Sequence, residues 1–354
     1  MKRLLQAIAG VLISALALWL TLRGKDLGAI WAAMQQADYR YLWPYLVSLL
    51  VIHLLRTWRW GILLEPVAKV PFARLNAASA VGFMALVLLP FRLGEFARPY
   101  LVSDRPRLRV SAALSSVVVE RVADGIFTGL LLVLMLLAVP DGTPGLAAIR
   151  AAGVLMSLAF VGLLAFLVLA HRNRSLAVRL TARVLGPLSP RLAARVSGMM
   201  DAFIHGLRLV PGLGKVVLFF ALTAAYWGVN GLGMQLLARA FGLELSLLAT
   251  FTVMGVLVVG VMIPAGPGMV GTFQGAIVLG LALFLPRQVV DARGVGYANV
   301  LWAAQVAVQV ALGLLFLPGP HARLSGLFAG PGTGEALEAE EREYQAGEGQ
   351  RPGA

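Results

Sequence analysis

The chain has 354 residues, of which 59% are hydrophobic and only 13% are charged, with a mean hydropathy of +0.82. Soluble domains have roughly 45–50% apolar and about 25% charged residues, so this composition predicts a chain dissolved in lipid. The absence of cysteine excludes disulfides, thiolate metal sites and cysteine nucleophiles, and the basic residues (net charge +13) lie between apolar blocks, which excludes a nucleic-acid-binding groove.

Apolar segments in chain order predict an all-α fold, a polytopic membrane helix bundle of about eight spans plus re-entrant or broken segments. The first segment is longer than the apolar core of a signal peptide, about 7–15 residues, so we interpret it as a retained span. Residues 76–90 are shorter and end in Pro90, which predicts a re-entrant segment. The predicted spans are about 4–22, 41–64, 111–139, 148–170, 216–241, 246–263, 269–285 and 295–317.

The distribution of lysine and arginine predicts the orientation. Most of the 30 basic residues lie on one side if both termini are cytoplasmic, as expected from the positive-inside rule. Residues 1–320 form the predicted transmembrane domain. Within it, residues 171–215 form a basic amphipathic cytoplasmic loop that either lies on the anionic leaflet or docks another protein. Residues 321–354 form an acidic tail that we expect to be disordered.

Three segments carry features that are costly inside a membrane, and each is a candidate site. In the first, Pro90 and Gly94 interrupt an apolar stretch that continues into charged sequence. If the chain turns helically here, Arg92, Glu95 and Arg98 share one face. Paired guanidinium groups suit an anionic headgroup, because arginine donates two parallel hydrogen bonds to a phosphate. The alternative is an ordinary basic loop.

The second segment places Glu120, Arg121 and Asp124 inside the predicted span 111–139. Glu120 and Asp124 are four residues apart and therefore lie on one face of a helix. Charges at this depth need partners or water, so we expect these carboxylates to hold arginines such as Arg92, Arg98 or Arg56. Proton exchange during transport and a purely structural ion-pair network are both left open.

The third segment, residues 264–274, is a Pro/Gly break between two apolar stretches. Non-helical backbone at membrane depth is tolerated only inside protein or beside water, so this break is either a cavity wall or a simple tight turn. Its spacing repeats that of Pro90 and Gly94, which predicts that the two breaks meet beside residues 120–124. The candidate residues are Pro264, Gly266, Pro267, Gly268, Gly271 and Gln274.

Arg56 and Arg59 lie near the end of the predicted span 41–64, between aromatic residues. Long basic side chains near helix ends commonly extend to the membrane surface, and we interpret both residues in this way. Arg56 is deep enough to reach the candidate site, so it is included among the substrate-binding residues.

These motifs together resemble the transmembrane, flippase-like family of lysylphosphatidylglycerol synthases. The resemblance rests on residues 89–98 (LPFRLGEFAR), 119–124 (VERVAD) and 264–274 (PAGPGMVGTFQ), in that order, and on the Arg56/Arg59 pair. It implies an inner-membrane protein with a lipid translocation role. The sequence shows no soluble aminoacyl-transferring domain, so synthase activity is not expected. Leu86 and Gln274 depart from the asparagine and glutamate that are common in the family.

The predicted function is a lipid flippase-like transporter, not an enzyme, that uses no cofactor and no metal. Its partners would be membrane lipids, above all an anionic phospholipid, and not nucleic acid. A homo-oligomer or a partner in envelope synthesis is also consistent with the sequence. Two alternatives remain at this stage: a non-transporting member of an envelope-building complex, and an enzyme on a lipid-linked group with Glu120 or Asp124 as the base.

Overall fold

The computed structural model describes residues 2–89, 94–103, 108, 110–173, 175, 176, 179, 183, 212–263 and 265–317, and the regular structure of these residues is entirely helical. Most of the predicted loop 171–215, the tail 321–354, and also Arg92 and Pro264 lie outside them. The main helices are α1 Lys2–Leu22, α2 Leu27–Gln35, α3 Leu42–Leu64, α4 Phe72–Leu88, α5 Ala97–Val102, α6 Val110–Leu137, α7 Leu146–Arg172, α8 Leu213–Ala240, α9 Leu247–Val261, α10 Thr272–Leu281 and α11 Val295–Phe316.

Four helical stretches are long and apolar enough to cross a membrane, and they match four of the predicted spans. They contain 24 to 30 residues, more than the roughly 20 that a spanning helix needs. The total of eight spans stays a prediction, because α9 and α10 have only 15 and 10 residues. The four stretches are Tyr39–Leu64, Leu146–Leu169, Leu213–Ala240 and Arg287–Phe316.

Helix α6 is long but interrupted by charge. It contains 28 residues, enough to cross a bilayer by length. Glu120, Arg121 and Asp124 lie near its middle and break up its apolar sequence. The helix therefore brings three charged side chains among its neighbours, and these need partners from other helices.

Helix α5, which follows the first Pro/Gly break, packs against α4. With 17 residues α4 is about 25 Å long, which is less than the roughly 30 Å hydrocarbon core. Gly94 lies directly on the backbone of α4, since a Cβ atom at this position would be 2.0 Å from the Leu86 nitrogen. The approach is so close that only glycine fits there.

The second break also joins two packed helices, α9 and α10, through a short turn at Pro267–Met269. Gly268 and Gly271 adopt φ angles of +69° and +84°, which glycine reaches without steric cost. The indole Nε1 of Trp302 donates to the Gly268 carbonyl at 2.7 Å. A Cβ on Gly271 would lie 2.4 Å from the Leu18 nitrogen, so α1 packs closely on this break.

Helix α11 connects the two hairpins. It packs along both α4 and α10, and the Pro267–Met269 turn contacts α4 as well. The contact is close at Gly313, where a Cβ would be 2.3 Å from the Met84 side chain. The turn of the second hairpin therefore contacts α4 of the first, whereas the meeting of the two breaks beside residues 120–124 stays a prediction. The largest buried cluster joins α3, α8, α9, α10 and α11 and includes Tyr45, Met234, Leu237, Met254, Ile277 and Tyr297.

Candidate functional site

Arg59 lies at the centre of a buried ion network between α3 and α6. Its side chain is fully buried. Arg59 Nη2 donates to Glu120 Oε1 and Asp124 Oδ2, each at 2.9 Å, and Nη1 bonds to Asp124 Oδ1. Nη1 also donates to the Thr223 hydroxyl on α8 at 3.2 Å. The expectation that Arg59 extends to the membrane surface was wrong, because two carboxylates from α6 compensate its charge inside the bundle.

Two further arginines complete the carboxylates' hydrogen bonding. Arg98, on α5, donates from Nη1 to Glu120 Oε2 at 3.1 Å. Arg121 approaches Glu120 Oε1 at 3.3 Å and Asp124 Oδ2 at 3.5 Å through its Nη2. All four carboxylate oxygens of Glu120 and Asp124 thus contact arginine. The predicted pairing of these carboxylates with Arg98 is present, and Arg59 takes the position considered for Arg56.

A small cavity opens beside this network. Its volume is about 220 Å³, including the open mouth. Arg98 reaches it because α4 has glycine at position 82, where a Cβ would be 2.2 Å from Arg98 Cγ. The lining combines charged and apolar residues from α3, α4, α5, α6 and the segment leading into α5, namely Arg56, Gly82, Phe83, Leu86, Glu95, Arg98, Val117 and Arg121.

Arg56 is held differently from the other three arginines. Its Cζ lies 3.7 Å from the centre of the Phe83 ring and 5.8 Å from that of Tyr226. Among the described residues it makes no direct ion pair with a carboxylate, and its buried Nε has no hydrogen-bond partner. Arg98 also stacks on aromatic rings, 4.3 Å from Trp60 and 4.7 Å from Phe83.

The cluster carries more positive than negative charge. Its described members are four arginines and three carboxylates. Several buried donors on the arginines have no partner among the described residues: Arg56 Nε, Arg59 Nε, Arg98 Nε and Nη2, and Arg121 Nε. An anion in the cavity would therefore meet surplus charge and free N–H groups. The cluster consists of Arg56, Arg59, Glu95, Arg98, Glu120, Arg121 and Asp124.

The described Pro and Gly residues of the second break, from Gly266 onward, are not among the residues that line this cavity. Gly266 N donates to the Ser14 hydroxyl at 2.9 Å, so this end of the break is held by α1. The Gln274 side chain accepts from Gly271 N at 2.7 Å and caps the start of its own helix. Gly268 contacts Trp302 instead of the arginine cluster. A binding role for Gly266, Pro267, Gly268, Gly271 and Gln274 stays a prediction.

Sequence reasoning missed the central role of Arg59 and the aromatic side chains that hold Arg56 and Arg98. One usable signal was present: Arg56 and Arg59 are three residues apart in a span, so they share a helix face and both need partners. The contribution of Thr223 and Phe83 carries no such signal. Within the described part of the chain, no group of three or more His, Cys, Asp or Glu side chains is placed to hold a metal ion.

Comparison with known proteins shows the family. Residues 7–317 match the model of the lysylphosphatidylglycerol synthase TM region. The chain belongs to this family. The chain is similar to a UPF0104 membrane protein of Methanothermobacter thermautotrophicus. The two are 27% identical over 268 residues, which cover 71% of this chain and 78% of that protein. No solved structure matches the chain. The family match spans α1 to α11, and so includes the arginine–carboxylate cluster and both breaks.

Proposed function

We propose that the chain is a flippase-like transporter that moves a lipid with an anionic headgroup across the membrane. The observation that carries the proposal is a positively charged cluster beside a cavity within a membrane protein. Arg92, Arg98 and Arg121, with Arg56 beside them, would bind the headgroup. Glu95, Glu120 and Asp124 would orient these arginines.

The energetics of buried charge support a functional role for the cluster. Ion pairs inside a protein lose most of their hydration, and replacing such a network by apolar side chains is often neutral or stabilising. A network that only joined α3, α5 and α6 would thus stabilise the fold no better than apolar side chains in the same positions. Lipid headgroups, in contrast, carry a phosphate that must cross an apolar layer, and arginine is well suited to replace its water.

The carboxylates favour an orienting role over a general-base role. A base must have an oxygen available to take a proton from the substrate. Both oxygens of Glu120 and both of Asp124 contact arginine side chains. The transport proposal therefore agrees better with the geometry than an enzyme that uses either residue as its base.

We also propose that the protein lies in the inner membrane with both termini in the cytoplasm. The support is the asymmetric distribution of lysine and arginine among the connecting segments. In this orientation the Glu65–Lys215 ion pair, between the end of α3 and the start of α8, faces the cytoplasm. The Lys25–Asp291 pair faces the opposite side.

Reconstitution tests the transport proposal. The purified full chain would be placed in liposomes with fluorescent phosphatidylglycerol, and transfer between leaflets would be followed by quenching of the outer label. We expect transfer with the wild type and its loss in Arg98→Ala and Asp124→Ala. Asp141→Ala is the matched control, because it removes an exposed ion pair with Arg150 and should keep transfer.

The same experiment separates the alternatives. If no phospholipid class is moved and the proteoliposomes contain folded protein, the transport proposal is wrong and a non-transporting partner of an envelope-building complex gains support. Formation of a chemically altered lipid without transfer would instead indicate an enzyme. Equal transfer by wild type and Asp124→Ala would show that the charged cluster is not the route.

A further inference from the structure

The four arginines of the cluster differ in how much of their hydrogen-bonding capacity is already used. Arg59 places both terminal nitrogens on carboxylates and is fully buried. Arg121 uses Nη2 on the same carboxylates. Arg98 uses Nη1 on Glu120, but its buried Nε and Nη2 have no described partner. Arg56 has only aromatic neighbours as direct partners among the described residues.

This difference divides the cluster into two parts. Arg59, Glu120 and Asp124 form a neutralised scaffold, because their charges face one another. Arg56 and the free edge of Arg98 line the cavity, and an aromatic face neutralises a guanidinium much less than a carboxylate does. Their positive charge is therefore available to a ligand that enters the cavity.

Phe83 positions both of these arginines. Its ring lies 3.7 Å from Arg56 Cζ and 4.7 Å from Arg98 Cζ. A flat ring orients a planar guanidinium by stacking while leaving its in-plane N–H groups free to donate. Phe83 also lines the cavity, together with Arg56 and Arg98.

We propose that Arg56 and Arg98, positioned by Phe83, form the binding site for a single phosphate group, and that Arg59 takes no part in binding. Two guanidinium edges match the oxygens of a phosphate, which can accept two parallel hydrogen bonds from each. The lipid as the source of this phosphate rests on the proposed function.

Removal of Arg56 tests the division of roles through two independent readouts. Among the described residues no carboxylate pairs with Arg56, so Arg56→Met should leave the unfolding temperature of the ligand-free protein unchanged or raise it. Phosphate binding should nevertheless weaken by about tenfold or more. Arg40→Met is the matched control, because Arg40 is almost fully exposed near the other end of the same helical stretch. This variant should change neither the unfolding temperature nor phosphate binding.

The purified full chain in detergent would be heated with each of four probes. These are dihexanoylphosphatidylglycerol below its micelle concentration, glycerol 3-phosphate, inorganic phosphate, and dihexanoylglycerol, which has the acyl chains without the phosphate. We expect the phospholipid to raise the unfolding temperature of the wild type and dihexanoylglycerol to leave it unchanged. A similar rise with glycerol 3-phosphate or inorganic phosphate would also support the phosphate site, and would identify a soluble anion as its source.

Phe83 has its own test. Phe83→Leu should weaken binding of the phosphate probe, and Phe83→Tyr should restore it, because tyrosine keeps the stacking face. Phe220→Leu, an exposed aromatic change on α8, should bind as the wild type does.

Three results would overturn the inference: no phosphate probe stabilises the wild type, Arg56→Met keeps the full response, or Arg56→Met lowers the ligand-free stability as strongly as a scaffold variant. The transport assay distinguishes failure of this inference from failure of the proposed function. Lipid transfer that persists in Arg56→Met would sink this assignment and leave the proposed function intact. Phosphate binding that depends on Arg56 without any lipid transfer would support this assignment and contradict the proposed function.

Discussion

Arg59 on α3 and Asp124 on α6 form a buried bidentate ion pair, although 65 positions separate them in the chain. Arg59 is fully buried, and the Asp124 side chain is only 8% exposed. The pair joins two helices through charge inside the bundle. Arg59 also bonds to Glu120 on α6 and to Thr223 on α8, so the network reaches a third helix.

Arg59→Met should strongly destabilise the protein. The variant leaves Glu120 and Asp124 with fewer cations in a buried site, and breaking a buried pair by removing one partner costs about 3–5 kcal/mol. Thermal unfolding in detergent would measure the loss. Arg40→Met, at an exposed position, serves as the control. Unfolding at the wild-type temperature would contradict a scaffold role for Arg59.

Gly94→Ala should prevent normal folding of the first hairpin. The added Cβ would meet the backbone of α4 at 2.0 Å, and backbone cannot move aside as a flexible side chain can. We expect a large loss of folded protein, measured as the monodisperse fraction in size-exclusion chromatography. Gly162→Ala on α7 meets nothing within 4 Å and should be neutral or slightly stabilising. Equal yields of the two variants would show that the chain does not pass against α4 here.

Cysteine labelling should reveal the orientation, because the natural chain contains no cysteine and every introduced thiol gives an unambiguous signal. Lys69 follows α3 and Arg287 precedes α11, and both are exposed. A membrane-impermeant maleimide added to intact cells should label Arg287→Cys and spare Lys69→Cys until the cells are opened. The opposite pattern would invert the proposed topology.

The Glu65–Lys215 ion pair should make a small contribution to stability that depends on pH. Lys215 Nζ and Glu65 Oε1 are 2.6 Å apart, and the hydrogen bond from Lys215 lowers the pKa of Glu65 below its usual value. Because the folded-state pKa is the lower one, the contribution is present above the unfolded pKa of Glu65. It is lost as the pH falls through the folded value.

Comparing the wild type with Lys215→Met tests this pair. The difference in unfolding temperature should be largest near neutral pH and shrink on acidification through the range where Glu65 takes up its proton. Raised salt should also reduce the difference, since the pair is exposed. A difference that persists at low pH would indicate that Lys215 stabilises α8 by packing and not by charge.

Part of the candidate site was predictable because its signals are local. Glu120, Arg121 and Asp124 stand out as charges within an apolar segment, and Pro90 and Gly94 stand out as a break in one. The position of Arg59 was not predictable from its neighbours, since aromatic residues flank it as they would flank an arginine at the membrane surface. Gln274 likewise looked available, but its side chain bonds to a backbone amide three residues away.

The sequence by itself determined the membrane class, the helical content and the four stretches that are long and apolar enough to cross a membrane, because hydropathy and helix length follow from residues that are adjacent in the chain. Only the tertiary structure decided how the charges pair. Arginine can reach any carboxylate within the length of its side chain, so the packing of α3, α5, α6 and α8 selects the partners. In that packing Arg59 is paired with carboxylates, whereas Arg56 lies over the Phe83 ring and lines the cavity.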